Sequence, residues 1–450
     1  NQAGPVEEWA HFINVLMLDR HGNRINRRNP QDIFTPLYDK QIPPGAAAVM
    51  HYRIDVPATI KGPIDVTAKL RYRKFDYEYM KLVHDGKEPP KLPIVDICED
   101  AMTFPVEGGA DVPVQSSPVK PAWQRWNDYG IACFLEGGGK RGHFRQAEAA
   151  FLKLLELKVP DAVPHGHLNL ARLYLEEGRL NDAATQLDLS GRCDPPAPPW
   201  SRTWFTALVN SETATRKEHF DAVIAALEGL LDPKAQPRDR KFDFTLDYVV
   251  WNQLANRLFK RAQFESPGSA EQREFLLRAV KAAERVIDLE AEDVTAHDLL
   301  KQAYSRLAAD LPPWTLGQTE ADKVAAWVAT AVDRKRPNEE RIRECAPASQ
   351  VLGLVKGPKL AMIRESITKL RAAFHEETDP ELKAALAAVL TAFHRESHTI
   401  YKPDEIARSN STRLYREKNP AANYAARDRV IYPTTAAHRD AIVKTGNLPN

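Results

Sequence analysis

The chain has 450 residues, 43% of them hydrophobic, with 62 basic side chains against 61 acidic ones and a formal net charge of +1. That apolar fraction excludes a disordered chain, and the length allows about two to four domains. The near-cancelling charge excludes a molecule-wide field drawing in nucleic acid or an anionic membrane, so any basic site must be local.

No apolar run approaches the ~18 residues of a membrane helix, so no membrane span is expected. The chain begins "NQAGPVEEW" with neither Met nor a charged-then-apolar leader, as a processed chain or the back part of a longer one would. Cys98, Cys133, Cys193 and Cys345 form no C-x-x-C pair, which removes zinc ribbons, thioredoxin-type motifs and covalent haem attachment. They are expected as buried free thiols, with one or two disulfides as the alternative.

Residues 1–109 carry a β pattern. "FINVLML" is wholly apolar, as in a buried strand. "AVMHYRIDV" and "IDVTAKLRYR" alternate apolar and polar residues with period two, the mark of half-buried antiparallel strands. "LPIVDIC" and "AMTFPV" add two short strands, and a β-sandwich is the expected container. In "LDRHGNRINRRNP", Gly22 and Asn23 supply the positive φ of a tight turn, so this basic stretch is read first as a turn and second as an anion or cofactor site.

Residues 110–122 form a Gly-, Pro- and Ser-rich linker. Residues 123–312 are helical and carry a repeat. Ala171 is followed by Tyr174, Gly178, Ala183, Leu187 and Pro195 at the offsets of a tetratricopeptide unit. A preceding unit fits through Gly130, Cys133, Ala147 and Phe151, with "GGGKR" as an inserted turn. Ala222 and Ala226, then Ala279 and Ala283, mark further second helices. Residues 313–400 are an amphipathic helical extension, and residues 401–450 an irregular wrapping tail. The expected fold is therefore α+β and multidomain: an antiparallel β-sandwich, then an all-α tetratricopeptide-type solenoid with its extension.

Nothing marks a catalytic centre. "EGGGKRGHF" lacks the G-x-x-x-x-G-K-[ST] spacing, and there is no G-x-S-x-G. His394 and His398 lie four apart on one helical face, as two metal or haem-iron ligands would. No third ligand is named by the sequence. Asn127, Asn169, Arg172, Asn252 and Asn256 fall on first helices of repeat units, where a concave face would hold a peptide backbone or carboxylate.

"LDRHGNRINRRNPQDIFTPLYDKQIPPGAA", "HYRIDVP", "LRYRKFDYEYM", "LPIVDICED" and "QRWNDYGIACFLEGG", followed by the repeat array, resemble the C-terminal part of large multihaem c-type cytochromes with tetratricopeptide repeats. The resemblance covers nearly the whole chain. It implies an exported, extracytoplasmic protein whose haem-bearing part precedes the β region. The chain departs from that family in having no C-x-x-C-H, so haem c is implied in a missing N-terminal segment or a partner. His21 would then be placed to cap a haem iron supplied from outside.

The function expected is protein–protein contact within a multihaem electron-transfer assembly, with a c-type cytochrome or further copies of the chain as partner. Two alternatives stand beside it. One is an enzyme with a metal site between sheet and solenoid, built from His394, His398 and Asp404 or Glu405. The other is a peptide-binding tetratricopeptide adaptor.

Overall fold

A computed structural model describes residues 11–25, 29–54, 56, 58–107, 109, 111–112, 115–137, 141–236, 243–308, 321–352, 363–420, 422, 426 and 431–433. The expected Gly138–Lys140 turn, part of the linker and most of the wrapping tail beyond residue 420 lie outside them. The chain divides into two compact units, Asn1–Ala197 with Asp404–Asn450, and Pro198–Pro403. The boundary falls within the stretch read as one solenoid.

In the first unit, strands pair only two by two. β1 (Val15–Leu18) runs antiparallel to β2 (Thr35–Asp39), and β4 (Ile64–Tyr72) to β5 (Val95–Phe104). β3 (His51–Arg53) lies parallel to β6 (Ile431–Pro433). Among the described residues no β-sandwich is formed. The alternation of "IDVTAKLRYR" does produce a ladder, and the two short strands expected after it merge into β5. Yet the apolar face is not covered: Leu70, Tyr72, Val95, Ile97 and Phe104 are all exposed. Period-two patterning says which side of a strand is apolar, not what will pack on it. A helix also interrupts the β region. α1 (Tyr77–Val83) starts where the Asp76 carboxylate accepts the Tyr79 amide at 2.8 Å, an N-cap.

The turn after β1 is built by Asp19, whose Oδ1 accepts the amides of His21 and Asn23, both at 2.8 Å. Slight burial opposes ionisation of Asp19, but these bonds outweigh it and hold its pKa below the ordinary value. Gly22 has φ +77°, and a Cβ there would sit 2.7 Å from the Ser411 carbonyl oxygen. The turn is thus pressed against a helix near the other end of the chain, and the Ser411 hydroxyl donates to the Asp19 carbonyl at 2.7 Å.

Helices α2 (Ala122–Gly137), α3 (Arg141–Glu156), α4 (Val163–Glu176) and α5 (Leu180–Arg192) follow, each packed on the next through α4–α5. Small residues set the spacing. Ala147, Ala171 and Ala183 are fully buried, and a Cβ on Gly130 would run into the Phe151 ring. Where Tyr174 leaves the seam, its hydroxyl donates to Glu148 at 2.8 Å, and the Arg179 guanidinium lies 3.8 Å from its ring centre. Burial, then the bond to Glu148, push the Tyr174 phenol up to about 12.

The second unit is helical throughout its described residues. α6 (Pro199–Thr213), α7 (Lys217–Leu230), α8 (Tyr248–Ala262), α9 (Ala270–Leu289) and α10 (Val294–Leu307) pack in sequence order. α11 (Ala321–Val332), α12 (Asn338–Leu352) and α13 (Arg364–Glu376) add further layers, closed by α14 (Pro380–Tyr401) against α10 and α12. One continuous apolar core runs from Ala207 to Phe393. Each of these helices buries its apolar stripe against neighbouring helices. α15 (Glu405–Lys418) belongs to the first unit and carries the Ser411 contact to the turn.

The four cysteines are free thiols, Cys133 and Cys345 buried, Cys193 half-buried and Cys98 exposed. Among the described residues no helix is long and apolar enough to cross a membrane.

Candidate functional site

The residues expected on first helices separate into two groups, one in each unit. In the first unit, Asn169 Nδ2 donates to Asn127 Oδ1 at 2.9 Å, and Arg172 Nη1 donates to Asn169 Oδ1 at 3.1 Å. Both asparagines are buried, so their amides bridge α2 to α4 and are already used. The Arg172 guanidinium lies 5.2 Å from the centre of the Phe134 ring, and burial draws its pKa down. This ladder is packing as much as surface, because a buried amide must find its partner inside the fold.

The second group has a different surrounding. On α8, Val250, Leu254, Ala255, Leu258, Phe259 and Ala262 face the core. On another side, Val249, Asn252, Asn256 and Lys260, spaced three to four residues apart, line an open cavity of about 400 Å³ together with Gln253, Arg257 and, from α10, Thr295. α8 is held in place by Asp247, whose carboxylate caps it by accepting the Val249 amide at 2.9 Å. Trp251 Nε1 donates to the Thr245 carbonyl at 2.9 Å. Among the described residues no carboxylate lines this cavity.

Arg257 is the unusual member. It is 6% exposed, yet among the described residues its only acidic contact is Glu212, itself largely exposed, at 3.5 Å; a further bond runs to Gln253 Oε1 at 3.3 Å. Among the described residues, its Nε and the Oδ1 of Asn252 are buried without hydrogen-bond partners. Burial draws the Arg257 pKa down, with Glu212 only partly offsetting it. Arg261, one turn later and equally buried, is answered in full. Asp221 Oδ1 stands 2.7 Å from its Nε, and Glu265, just past the end of α8, pairs with it as well. Burial opposes its charge too, but these two carboxylates raise its pKa.

The expected pair His394 and His398 does not converge on a metal site. His394 turns inward and is 1% exposed, with Nδ1 2.9 Å from Nδ1 of His297. His297 Nε2 lies 3.1 Å from the Ala291 carbonyl and must donate to it. In the neutral pair His297 Nδ1 is therefore the acceptor and His394 Nδ1 the donor, which leaves His394 Nε2 as a buried acceptor with no partner among the described residues. Burial drives the pKa of His297 down to about 4 and that of His394 well below its ordinary value. His398 faces Asp298 at 3.6 Å instead. Asp404 is occupied in capping α15, accepting the Ala407 amide at 3.0 Å. Among the described residues no three metal-ligating side chains gather. Helical spacing put both imidazoles on one face, but the neighbouring α10 took one of them into the core.

Beside this pair lies a second buried polar network that the sequence did not single out. Glu284 of α9 accepts from the Tyr304 hydroxyl at 2.5 Å, from His375 Nε2 at 2.6 Å, and pairs with Arg371 at 2.9 Å. Burial opposes the Glu284 charge, but the His375 bond and the Arg371 charge prevail and hold its pKa low. Tyr304 stacks on His394 with ring centres 5.7 Å apart and 9° between planes. These four side chains come from α9, α10 and α13, far apart in sequence, so no local motif announces them.

No known protein-family model matches the chain, and comparison with curated proteins gives no match either.

His21, at the turn, is exposed. The chain's own residues do not fit covalent haem. C-x-x-C-H is absent, and the four thiols stand on separate elements with two of them buried. An axial bond from His21 to an iron held by another polypeptide is compatible with its exposure.

Proposed function

We propose that the chain is a non-catalytic protein-binding module of stacked helix pairs, working outside the cytoplasm in a multihaem c-type cytochrome assembly. The observation that carries the binding reading is the α8 stripe: a polar, basic cavity on a helix whose opposite face is locked in the core. Rigid helices present side chains without the ordering cost that a loop would incur. The tetratricopeptide offsets around Ala171 support the repeat assignment, and the sequence resemblance supports the cytochrome partner and the location. Capping of a partner's haem by His21 belongs to the same proposal.

The test is co-purification of the full chain with a haem-staining polypeptide from native extract. Asn252→Ala combined with Asn256→Ala is expected to weaken that association by about tenfold, corresponding to roughly 1.4 kcal/mol. Retention unaltered by the double substitution would remove the α8 surface from the account. Absence of any haem-staining partner would remove the cytochrome.

A further inference from the structure

Arg257 and Arg261 form a natural comparison. They lie on one helix, four residues apart, with 6% and 7% exposure. Placing a guanidinium so deep in protein is costly unless carboxylates answer it. Arg261 has Asp221 and Glu265 at hand. Among the described residues, Arg257 has a single long acidic contact, to the exposed Glu212, and its Nε has no acceptor. The cavity beside it adds a second cation, the exposed Lys260, and contributes no acid of its own. Asn252 and Asn256 sit on the same stripe, and the buried Oδ1 of Asn252 lacks a donor. The cavity thus holds a surplus of positive charge beside amides suited to peptide N–H and C=O groups.

We propose that this cavity takes a carboxylate carried by an extended peptide segment, with Arg257 and Lys260 receiving the charge and Asn252 and Asn256 holding the adjoining peptide groups. The inference deepens the protein-binding reading by naming what the partner presents, and rests on it. An anion at this position completes for Arg257 the pairing that Arg261 obtains within the fold. An amide-flanked cradle also suits a peptide, whose N–H can satisfy the Asn252 Oδ1 while its C=O accepts from an asparagine Nδ2–H.

The test uses the full chain labelled with 15N-arginine, observing the Arg257 Nε–Hε resonance during titration, with calorimetry for affinity. Three probes are acetyl-AADAA-amide, acetyl-AAAAA with a free terminal carboxylate, and acetyl-AAAAA-amide; inorganic phosphate is the fourth. Saturable shifts are expected with one or both carboxylate peptides, and the two identify a side-chain or a terminal source. The uncharged peptide should bind at least about tenfold more weakly. Arg257→Gln, checked by circular dichroism for retained fold, should abolish the preference, whereas Arg278→Gln on α9 should leave it intact. Equal binding of the charged and uncharged peptides would overturn the proposal. So would phosphate shifting the resonance as strongly as either peptide, or no response from any probe. If the haem-staining partner is still retained through α8 when the peptides fail, the module reading stands and only the carboxylate is lost.

Discussion

His297 and His394 meet Nδ1 to Nδ1 at 2.9 Å inside the second unit, joining α10 to α14 through two neutral imidazoles. The contact holds only while one nitrogen keeps its lone pair. Protonating the acceptor leaves two N–H groups opposed, in surroundings that offer little solvation to the charge.

The pair makes the second unit sensitive to acid. His297 has its folded pKa near 4 against an unfolded value of 6.5, so between those limits the unfolded chain binds a proton that the folded chain does not. Stability contributed by this group is present above pH 6.5 and is lost as pH falls toward 4. For His297 alone the loss between pH 7 and pH 5 is about 2 kcal/mol, and His394, shifted the same way, adds to it. Urea midpoints at the two pH values measure the loss. His297→Leu with His394→Leu should flatten the dependence, and an unchanged slope in that variant would assign the sensitivity elsewhere.

The Tyr304 hydroxyl is fully buried and satisfies Glu284. Tyr304→Phe should destabilise the unit by about 1–3 kcal/mol, the range for leaving a buried charged acceptor one bond short. Glu284→Gln should cost at least as much, because it also strips Arg371 and His375 of their shared anion. Thermal or urea unfolding of the two variants reads both effects directly.

Arg341 and Glu377 pair at 3.1 Å with side-chain exposures of 5% and 12%, and Arg341 Nε donates to the Ala331 carbonyl at 2.9 Å. Removing one member leaves the other charge buried. Glu377→Ala should therefore cost about 3–5 kcal/mol, whereas Arg334→Ala, whose partner Glu376 is fully at the surface, should cost less than about 1 kcal/mol. Comparing these two unfolding curves separates buried from exposed pairing within the same region.

Where each element recruits its partners decided what could be read from the sequence. Ala171, Tyr174 and Gly178 are legible because small and large residues recur at fixed helical offsets, and the helix pairs follow from that. The expected sandwich is not formed among the described residues: "IDVTAKLRYR" encodes a ladder, but a cover has to come from elsewhere, and Leu70 and Tyr72 remain exposed. Asn127 and Asn169 lie on α2 and α4, but spacing could not show that they would bond one another. Asn252 and Asn256 do line a cavity, while Arg257 beside them was missed because a single arginine carries no periodic signal. Glu284, Tyr304, Arg371 and His375 were missed for the reason that obscured the fate of His394: each meets its partner across helices remote in sequence.

The central claim, that the polar stripe of α8 is a partner-binding surface, is tested most directly by photo-crosslinking. p-Benzoylphenylalanine replaces Lys260, at the cavity, or Lys301 of α10, outside its lining, in the full chain exposed to native extract. The account predicts a discrete crosslinked product from position 260 that stains for haem, competed away by excess unlabelled chain, and none from position 301. Equal labelling from both positions, or products from position 260 that contain only the chain itself, would contradict it.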